Sequence, residues 1–258
     1  MRLSGLVILV GLLATAAMAD TGARPRISII IDDLGYQLDT GRRAIELPGP
    51  LAYAVLPVTP RGRLLAETAH RSGKEVLLHL PLQAVDHEGP DEPGGITLDM
   101  SRSAFAKRFS AALDSVPFAI GVSSHRGSLL TRHPGHMEWL MQEIRERDSL
   151  FFIDSFTTHH SVALQIAREA GVAAAKRDVF LDNDRSAAAL DKAFERLKWL
   201  ARQRGVAVGI GHPYRETIDF LEVALPKLVA EGYELVPISE ALALRLARST
   251  EPLKDNRF

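Results

Sequence analysis

Two adjacent aspartates, Asp32 and Asp33, directly follow the apolar run Ile27–Ile31 and lie just before Gly35. Two carboxylates held side by side repel each other, and a bound cation or a shared proton relieves that repulsion. If one carboxylate binds a divalent metal, the other is free to accept a proton from water. The same pair is also typical of a solvated turn or a helix N-cap, so its chemistry depends on what lies near it.

The same kind of residue ends five later apolar runs. These residues are His79, His125, Asp154, Asp178 with Asp182, and His212. Parallel strands present their carboxyl ends on one face of a barrel, so these side chains are expected to converge although they are far apart in sequence. A single histidine of this kind is more often structural, but the repeated pattern is hard to explain by packing. One carboxylate and two imidazoles suit zinc and leave a position open for water.

Apolar runs of strand length alternate with helical patterns along the chain. The runs are continuous rather than alternating, which is typical of parallel strands covered on both faces. The predicted strands are Ile27–Ile31, Leu51–Leu56, Glu75–Leu80, Phe118–Val122, Leu150–Ile153, Val172–Ala175, Val206–Ile210 and Glu234–Pro237.

Amphipathic segments lie between these strands and predict helices. They cover about Arg61–Arg71, Ser101–Ser115, Gly135–Arg147, Val162–Ala170, Ala187–Arg204, Arg215–Glu231 and Ser239–Ala247. Seven or eight strand–helix units indicate a parallel sheet, closed as a barrel or left open and doubly wound. No Gly-x-Gly-x-x-Gly motif follows the first strand, which disfavours a dinucleotide-binding fold. The longest irregular stretch, Leu82–Asp99, is predicted to overhang the face where barrel active sites lie.

The composition is that of an ordinary globular protein, with 46% hydrophobic and 24% charged residues among 258. The net charge of −1 gives no overall field that would favour nucleic acid or an anionic membrane surface. The absence of cysteine excludes disulfides, a thiol nucleophile and a lipid-bearing cysteine. The serines lack a Gly-x-Ser-x-Gly motif, which disfavours a serine hydrolase.

The N-terminus resembles a secretory signal peptide. Arg2 precedes the mostly apolar stretch Leu6–Leu13, and Ala17–Ala19 has the small–x–small form of a cleavage site. An uncleaved anchor is the alternative, although the stretch is short for a membrane span and no second apolar stretch is long enough. We therefore expect a periplasmic or secreted protein. The predicted organisation is a signal peptide at 1–19, a linker at 20–26, a barrel at 27–248 and a flexible tail at 249–258.

Six stretches together resemble the divergent polysaccharide deacetylases, relatives of the NodB-like carbohydrate esterases. They are Ile31–Gly35, Leu77–Pro81, Ser124–Ser128, Phe152–Ser155, Arg177–Asp182 and Gly209–Pro213, and the resemblance runs from about Arg26 to Ala241. It implies a distorted (β/α) barrel with about seven or eight mostly parallel strands. It also implies a metal-dependent hydrolase that removes acetyl groups from a cell-envelope carbohydrate, with an acetylated glycan or peptidoglycan-like substrate.

The resemblance implies roles for single residues. Asp32 matches the family's catalytic base, Asp33 a metal ligand and His212 the general acid. The better-known members place two metal-binding histidines four residues apart, but Leu129 stands four residues after His125. On this comparison His125 remains a ligand, His79 replaces the second histidine, and Zn²⁺ is the expected metal.

Other residues near the motifs are expected to support the site. Asp154 or Asp182 is expected to orient a histidine, since catalytic and metal-binding imidazoles usually donate their second N–H to an oxygen. Arg126 and Tyr36 adjoin the motifs and are assigned to substrate binding or to stabilising an oxyanion. Serines stand at positions 123 and 124 where the family usually has asparagine, a departure that affects contacts around the ligands.

Two further functions remain open at this point. The broken histidine pattern and the low aromatic content of 6% are compatible with a non-catalytic envelope protein that binds a metal or a glycan. The same residues would also serve a metal-dependent amidase acting on peptides. Fold alone does not choose among these functions, and the sequence predicts no oligomeric state.

Overall fold

The computed structural model describes residues 24–85, 92–147 and 149–250. The predicted signal peptide, most of the linker and residues 251–258 of the predicted tail lie outside these residues. Within the described part of the chain, no helix is both long and apolar enough to cross a membrane.

Nine strands are present in the described residues. They are β1 (Arg26–Leu34), β2 (Ala52–Val55), β3 (Glu75–Leu82), β4 (Ala119–Arg126), β5 (Phe151–Asp154), β6 (Ala174–Lys176), β7 (Val179–Phe180), β8 (Val206–Gly211) and β9 (Glu234–Leu235). All their pairings are parallel, in the order β6-β5-β4-β3-β2-β1-β8-β7, and β9 pairs only with the start of β1.

The sheet curls into a half-barrel whose two edges are consecutive in sequence. The edge strands β6 and β7 are separated by only Arg177 and Asp178. The Arg177 amide donates to the Asp154 carbonyl of β5, and the Asp178 amide donates to the Val208 carbonyl of β8. One short segment therefore spans the seam between the edges. This architecture confirms the predicted distorted (β/α) barrel.

Helices surround the sheet in the described residues. They are α1 (Leu38–Ile45), α2 (Gly62–Arg71), α3 (Arg102–Ser115), α4 (Pro134–Arg145), α5 (Ala163–Glu169), α6 (Ala187–Arg204), α7 (Arg215–Ala230) and α8 (Ile238–Thr250), with a 3-10 turn at Leu130–Arg132. Ser101 caps α3 by accepting from the Ala104 amide, as the N-cap preference of serine predicts.

Successive side chains of each strand point to opposite faces of the sheet, and this divides the core into two layers. Residues of one parity, including Ile30, Ile153 and Ile210, pack together with Leu242 of α8 inside the curl of the sheet. Residues of the other parity, including Phe152, pack against the outer helices. Helix α8 therefore fills the inside of the barrel, and the polar residues of inner parity emerge at the carboxyl ends of the strands.

The strands run farther than the apolar runs predicted. Strand β1 includes both aspartates, β3 continues to Leu82, and β4 continues to Arg126 because Leu82 and Arg126 are still paired. The sequence prediction missed β7 and α1, and α8 continues to Thr250, past the predicted start of the tail. The polar residues at the strand ends are thus held by the sheet rather than by loops.

Candidate metal and hydrolytic site

A β-bulge at the end of β1 brings both aspartates to the same place. Three steps along β1, from Ile31 to Leu34, span the two steps of β2 from Tyr53 to Val55. Asp33 takes a left-handed conformation with φ of 60°. In a regular strand, adjacent side chains point to opposite faces, but the inserted residue and the left-handed turn change the direction of Asp33. Both carboxylates therefore reach the mouth of the barrel.

Three side chains from three strands of the sheet converge at this mouth. Asp33 Oδ1 lies 2.8 Å from His125 Nδ1 and 3.1 Å from His79 Nε2. The two imidazole nitrogens are themselves 3.1 Å apart. These atoms belong to β1, β3 and β4, and together they form a possible cation-binding group.

The outer nitrogen of each imidazole has its own oxygen partner. His79 Nδ1 lies 3.0 Å from Ser123 Oγ, and His125 Nε2 lies 3.1 Å from Glu92 Oε2. If these nitrogens carry the protons, His79 Nε2 and His125 Nδ1 present lone pairs to the centre of the group. A metal-binding histidine commonly uses such a partner to fix its tautomer.

The donor set fits a divalent metal such as zinc. A carboxylate with two neutral imidazoles is a common ligand combination for a zinc that keeps a water position. The Asp33 Oδ1 atom is also buried without a hydrogen-bond partner of good geometry, although both imidazoles lie near it. A cation at the centre would satisfy this oxygen and both lone pairs. The residues present therefore suit the group that the sequence predicted.

The electrostatics of the three residues are strongly coupled. Burial alone would raise the pKa of Asp33, but the imidazoles of His125 and His79 hold that pKa far below its ordinary value. Burial would lower the pKa of His125, whereas Asp33 and Glu92 raise it to about 9. Without a cation, His125 is thus protonated at neutral pH and acts as the positive charge of the cluster.

Asp32 lies on the inner side of this cluster and is 1% exposed. Its Oδ2 atom is 3.6 Å from His79 Nε2 and accepts a 3.4 Å hydrogen bond from Ser155 Oγ, while Oδ1 is buried without a partner. Burial raises the pKa of this carboxyl, and the nearby histidines offset only part of that effect. Asp32 is therefore a buried carboxyl with one oxygen available for a proton.

His212, which directly follows β8, lies beside the cluster. Its Nδ1 is 2.9 Å from Asp182 Oδ1, and its backbone amide donates to Asp182 Oδ2 at 2.6 Å. Thr217 Oγ1 donates to the same oxygen at 2.8 Å. The free Nε2 faces Asp33 Oδ2 at 3.9 Å. Burial would lower the pKa of His212, but Asp182 and the two site aspartates raise it.

Asp154 does not orient a histidine among the described residues. It has the strand parity that faces the outer helices, and its carboxylate accepts hydrogen bonds from the Phe156 amide and Ser161 Oγ. It therefore shapes the loop after β5, and it is Asp182 that orients a histidine. The sequence named Asp154 or Asp182 for the histidine-orienting role, and Asp182 is the one that contacts His212.

Arg126 and Tyr36 lie on opposite sides of the cluster. Arg126 Nε is 2.8 Å from Glu92 Oε1, so Glu92 bridges it to His125. Tyr36 is 51% exposed and lines a cavity of about 180 Å³ together with Asp33, His212 and Tyr214. Tyr36 therefore adjoins open space beside the cluster, whereas Arg126 contacts the support of one imidazole.

Sequence reasoning missed several residues of this site. Glu92 belongs to the long irregular stretch, which folds back because Ile96 pairs with the Pro81 and Gln83 backbone of β3. Arg177 donates to the Ser155 and Phe156 carbonyls and so holds the loop that carries Ser155. No local motif marks Glu92 as a site residue. The only feature of the sequence that could have indicated it is the predicted position of its loop over the face where barrel active sites lie.

A family model described as divergent polysaccharide deacetylase matches residues 29–242. The uncharacterized protein YibQ of Escherichia coli K12 is 34% identical over 209 residues, which are 81% of this chain and 65% of that protein. An uncharacterized protein of Haemophilus influenzae is 36% identical over 214 residues, which are 83% of this chain and 75% of that protein. The chain thus spans just under two thirds of the E. coli relative's length.

Solved structures show the same fold. An uncharacterized protein from Agrobacterium tumefaciens C58 superposes with a TM-score of 0.79 at 22% identity, over 85% of this chain and 90% of that one. The peptidoglycan deacetylase PdaC from Bacillus subtilis superposes with a TM-score of 0.52 at 15% identity, over 88% of this chain and 94% of that one. At these identities the similarity establishes the barrel architecture and leaves the chemistry to the residues of the site.

Proposed function

The chain belongs to the divergent polysaccharide deacetylase family, and on that basis we propose that it is a metal-dependent hydrolase that removes acetyl groups from a cell-envelope carbohydrate. The observation that carries the proposal is the convergence of Asp33, His79 and His125, with Asp32 and His212 beside them. This arrangement holds a set of metal ligands, a buried carboxyl and an oriented imidazole within a few ångströms of one another.

Asp33, His79 and His125 would hold the metal, for which Zn²⁺ is the best match to the ligand set. When bound, such an ion polarises a carbonyl oxygen and lowers the pKa of its water to about 7. Glu92 and Ser123 fix the two imidazoles, and burial keeps bulk water from competing for them.

Asp32 is the proposed general base. Its buried Oδ1 has no hydrogen-bond partner, so it has room to take a proton from an attacking water. Burial raises its pKa, which makes the carboxylate a better proton acceptor than an exposed aspartate. Ser155 holds the other oxygen and so limits rotation of the carboxyl.

His212 is the proposed general acid. Asp182 accepts at Nδ1, so the ring presents Nε2 to the cluster. Burial would lower the pKa of His212, but Asp182 and the two site aspartates raise it, which favours the protonated ring that can supply a proton to the leaving amine or alkoxide. Asp32 and His212 thus each lie within 4 Å of a proposed metal ligand, Asp32 beside His79 and His212 beside Asp33.

The substrate would approach through the cavity beside Tyr36 and Tyr214, whose volume of about 180 Å³ suits an acetyl group and one edge of a sugar. An acetylated glycan or peptidoglycan-like polymer is supported by the family and by a structural neighbour that is named a peptidoglycan deacetylase. The N-terminal sequence supports export to the periplasm or beyond, where such polymers occur.

The test is acetate release from acetylated glycans by the zinc-loaded protein, comparing Asp32→Asn with the matched variant Asp39→Asn on exposed residue 39 of α1. We expect Asp32→Asn to lower kcat roughly 10²–10⁴-fold, because a general base contributes that much. The Asp39→Asn variant should keep wild-type activity.

Three other results would each overturn part of the proposal. Full activity in Asp32→Asn would remove its role as base. Tight metal binding without acetate release from any glycan would favour the non-catalytic binding protein. Release of amines from peptides, with no release of acetate, would favour the amidase.

A further inference from the structure

A second cavity, of about 630 Å³, lies at the opposite end of the barrel from the metal ligands. The ends of α5 and α6, the whole of β6, Asp178, the start of β8 and the side of α8 line it. Its charged lining residues are Arg168, Lys176, Arg204, Arg245, Arg248 and Asp178. Five cations thus share a single carboxylate, although the whole chain has a net charge of −1.

The one carboxylate is already fully used. Asp178 accepts from Arg204 at 3.0 Å, from Arg245 and, at 2.8 Å, from the Val208 amide. Within the described part of the chain, Arg168 and Arg248 have no carboxylate within ion-pair distance, and both are exposed. A cavity lined by unneutralised charges of one sign concentrates the opposite charge. The cavity therefore favours an anion.

The rest of the lining is aliphatic. It includes Leu164, Val172, Ala173, Val206 and Leu246, and no lining residue is aromatic. Sugars and bases are commonly held by stacking on aromatic rings, and this cavity offers no ring on which either could stack. Aliphatic walls beneath a cationic rim suit a molecule with an acidic head and an apolar stem. A volume of several hundred Å³ is also the usual size of a ligand site.

The chain enters the barrel at the same end. The Arg26 amide donates to the Gly205 carbonyl, beside Arg204 and beneath the Arg248 side chain. A bilayer at this end would leave the metal ligands, at the carboxyl ends of the strands, facing away from the membrane.

We propose that this cationic cavity binds the head group of an anionic phospholipid at a membrane surface. Arg168, Arg204 and Arg248 contact the phosphate, and the glycerol and first acyl carbons pack on the aliphatic walls. Arginine suits this role because its planar fork of donors matches a phosphate. The proposal does not depend on the hydrolytic activity of the other end.

The test is partitioning of the full chain onto phosphatidylglycerol–phosphatidylcholine vesicles, compared with pure phosphatidylcholine vesicles. The ratio of the two cancels any contribution of the apolar N-terminal stretch. Each basic residue near an anionic bilayer is worth roughly five-fold in partitioning. The double variant Arg168→Ala/Arg248→Ala should therefore lower the ratio about 25-fold. Arg168→Lys/Arg248→Lys keeps the charge but loses the planar fork of donors, so its ratio should fall between those of the wild type and the alanine variant.

Lys107→Ala/Arg108→Ala is the matched control, because it removes the same charge from exposed positions of α3 outside the cavity. It should leave the ratio unchanged. An equal loss in this control, or no loss in the cavity variant with thermal unfolding as in the wild type, would overturn the proposal. Cavity-dependent binding of inorganic phosphate with no preference for phosphatidylglycerol vesicles, or stronger cavity-dependent binding to a soluble acidic glycan, would also overturn it and identify that ligand instead.

Discussion

At the scale of single residues, the two histidines of the cluster owe their tautomers to oxygen partners that no motif identifies. Ser123 holds His79 and Glu92 holds His125. The family pattern marked serine at this position only as a departure from asparagine. A hydroxyl accepts from an imidazole N–H as an amide oxygen does, so the departure preserves the contact that a ligand histidine needs.

Metal uptake should release a proton from His125. In the metal-free protein the pKa of His125 is raised to about 9, so at neutral pH its Nδ1 must lose a proton before it can bind a cation. Apparent affinity should therefore rise as the pH rises toward 9 and fall as it drops below. Calorimetry of zinc binding in buffers of different ionisation enthalpy should show about one proton released per ion near neutral pH.

Glu92→Gln provides a check on this explanation. The amide keeps the shape but removes the charge that helps raise the pKa of His125, so fewer protons should be released and zinc affinity should fall roughly 10–100-fold. Glu138→Gln, an exposed position on α4, should leave both quantities as in the wild type. Proton release that is unaffected by Glu92→Gln would contradict the assigned partner.

The alkaline limb of the rate profile should report on His212. An acid works only while protonated, so activity is lost as the pH rises through the pKa of His212, which Asp182 raises. Asp182→Asn should move that loss to lower pH, and Asp184→Asn, at an exposed site in the same loop, should not. The measurement is kcat against pH for acetate release, and an unmoved alkaline limb in Asp182→Asn would exclude the proposed pairing.

At the scale of elements, the bulge at the end of β1 is the feature that turns two consecutive aspartates into one site. Left-handed backbone also occurs at Arg126, the last residue of β4, and at Phe156 after β5. Non-glycine residues adopt this conformation at a cost of order 1–3 kcal/mol, and such positions often cluster at functional sites. The ends of three strands around the cluster therefore have a left-handed backbone conformation, which a regular strand does not adopt.

Gly35 should be the position at which this geometry is most sensitive. It has a φ of 144°, and a Cβ there would collide with the Thr59 side chain. Gly35→Ala should destabilise the protein by about 2–3 kcal/mol and weaken zinc binding, because the end of β1 must move. Gly73→Ala should cost only about 1 kcal/mol, since its φ is 69° and no described atom lies within 4 Å of the added Cβ.

Urea unfolding of both variants measures the difference. A smaller cost at Gly35 than at Gly73, or unchanged zinc binding in Gly35→Ala, would show that the end of β1 is not fixed by this turn.

Part of the element pattern could be read from the sequence and part could not. Apolar runs identified eight strands, and most of these, such as β2 and β8, are buried on both faces. Strand β7 was missed because Val179–Phe180 is two residues long and its order comes from pairing with β8. Helix α1 was missed because it is eight residues long and its N-cap residue, Gln37, makes no capping hydrogen bond from its side chain. The bulge was not predictable, since a one-residue change of register leaves the hydrophobic pattern of β1 intact.

At the scale of the whole molecule, the barrel separates two chemically different ends. The carboxyl ends of the strands carry the acidic and histidine cluster, and the opposite end carries the cationic cavity beside Gly205. The net charge of −1 conceals this separation, because the two sets of charges nearly cancel in the sum. The candidate ligands were predictable because parallel strands all end on one face, whereas the cavity depends on how α5, α6 and α8 meet.

The measurement that tests the central claim most directly is the metal content of the purified protein after chelation and reloading with zinc. We expect about one equivalent per chain in the wild type and in His159→Ala, an exposed histidine outside the cluster. His79→Ala and His125→Ala should each lose most of the bound zinc, because each removes one of three ligands from the group. Zinc content unchanged from the wild type in both ligand variants would contradict the site.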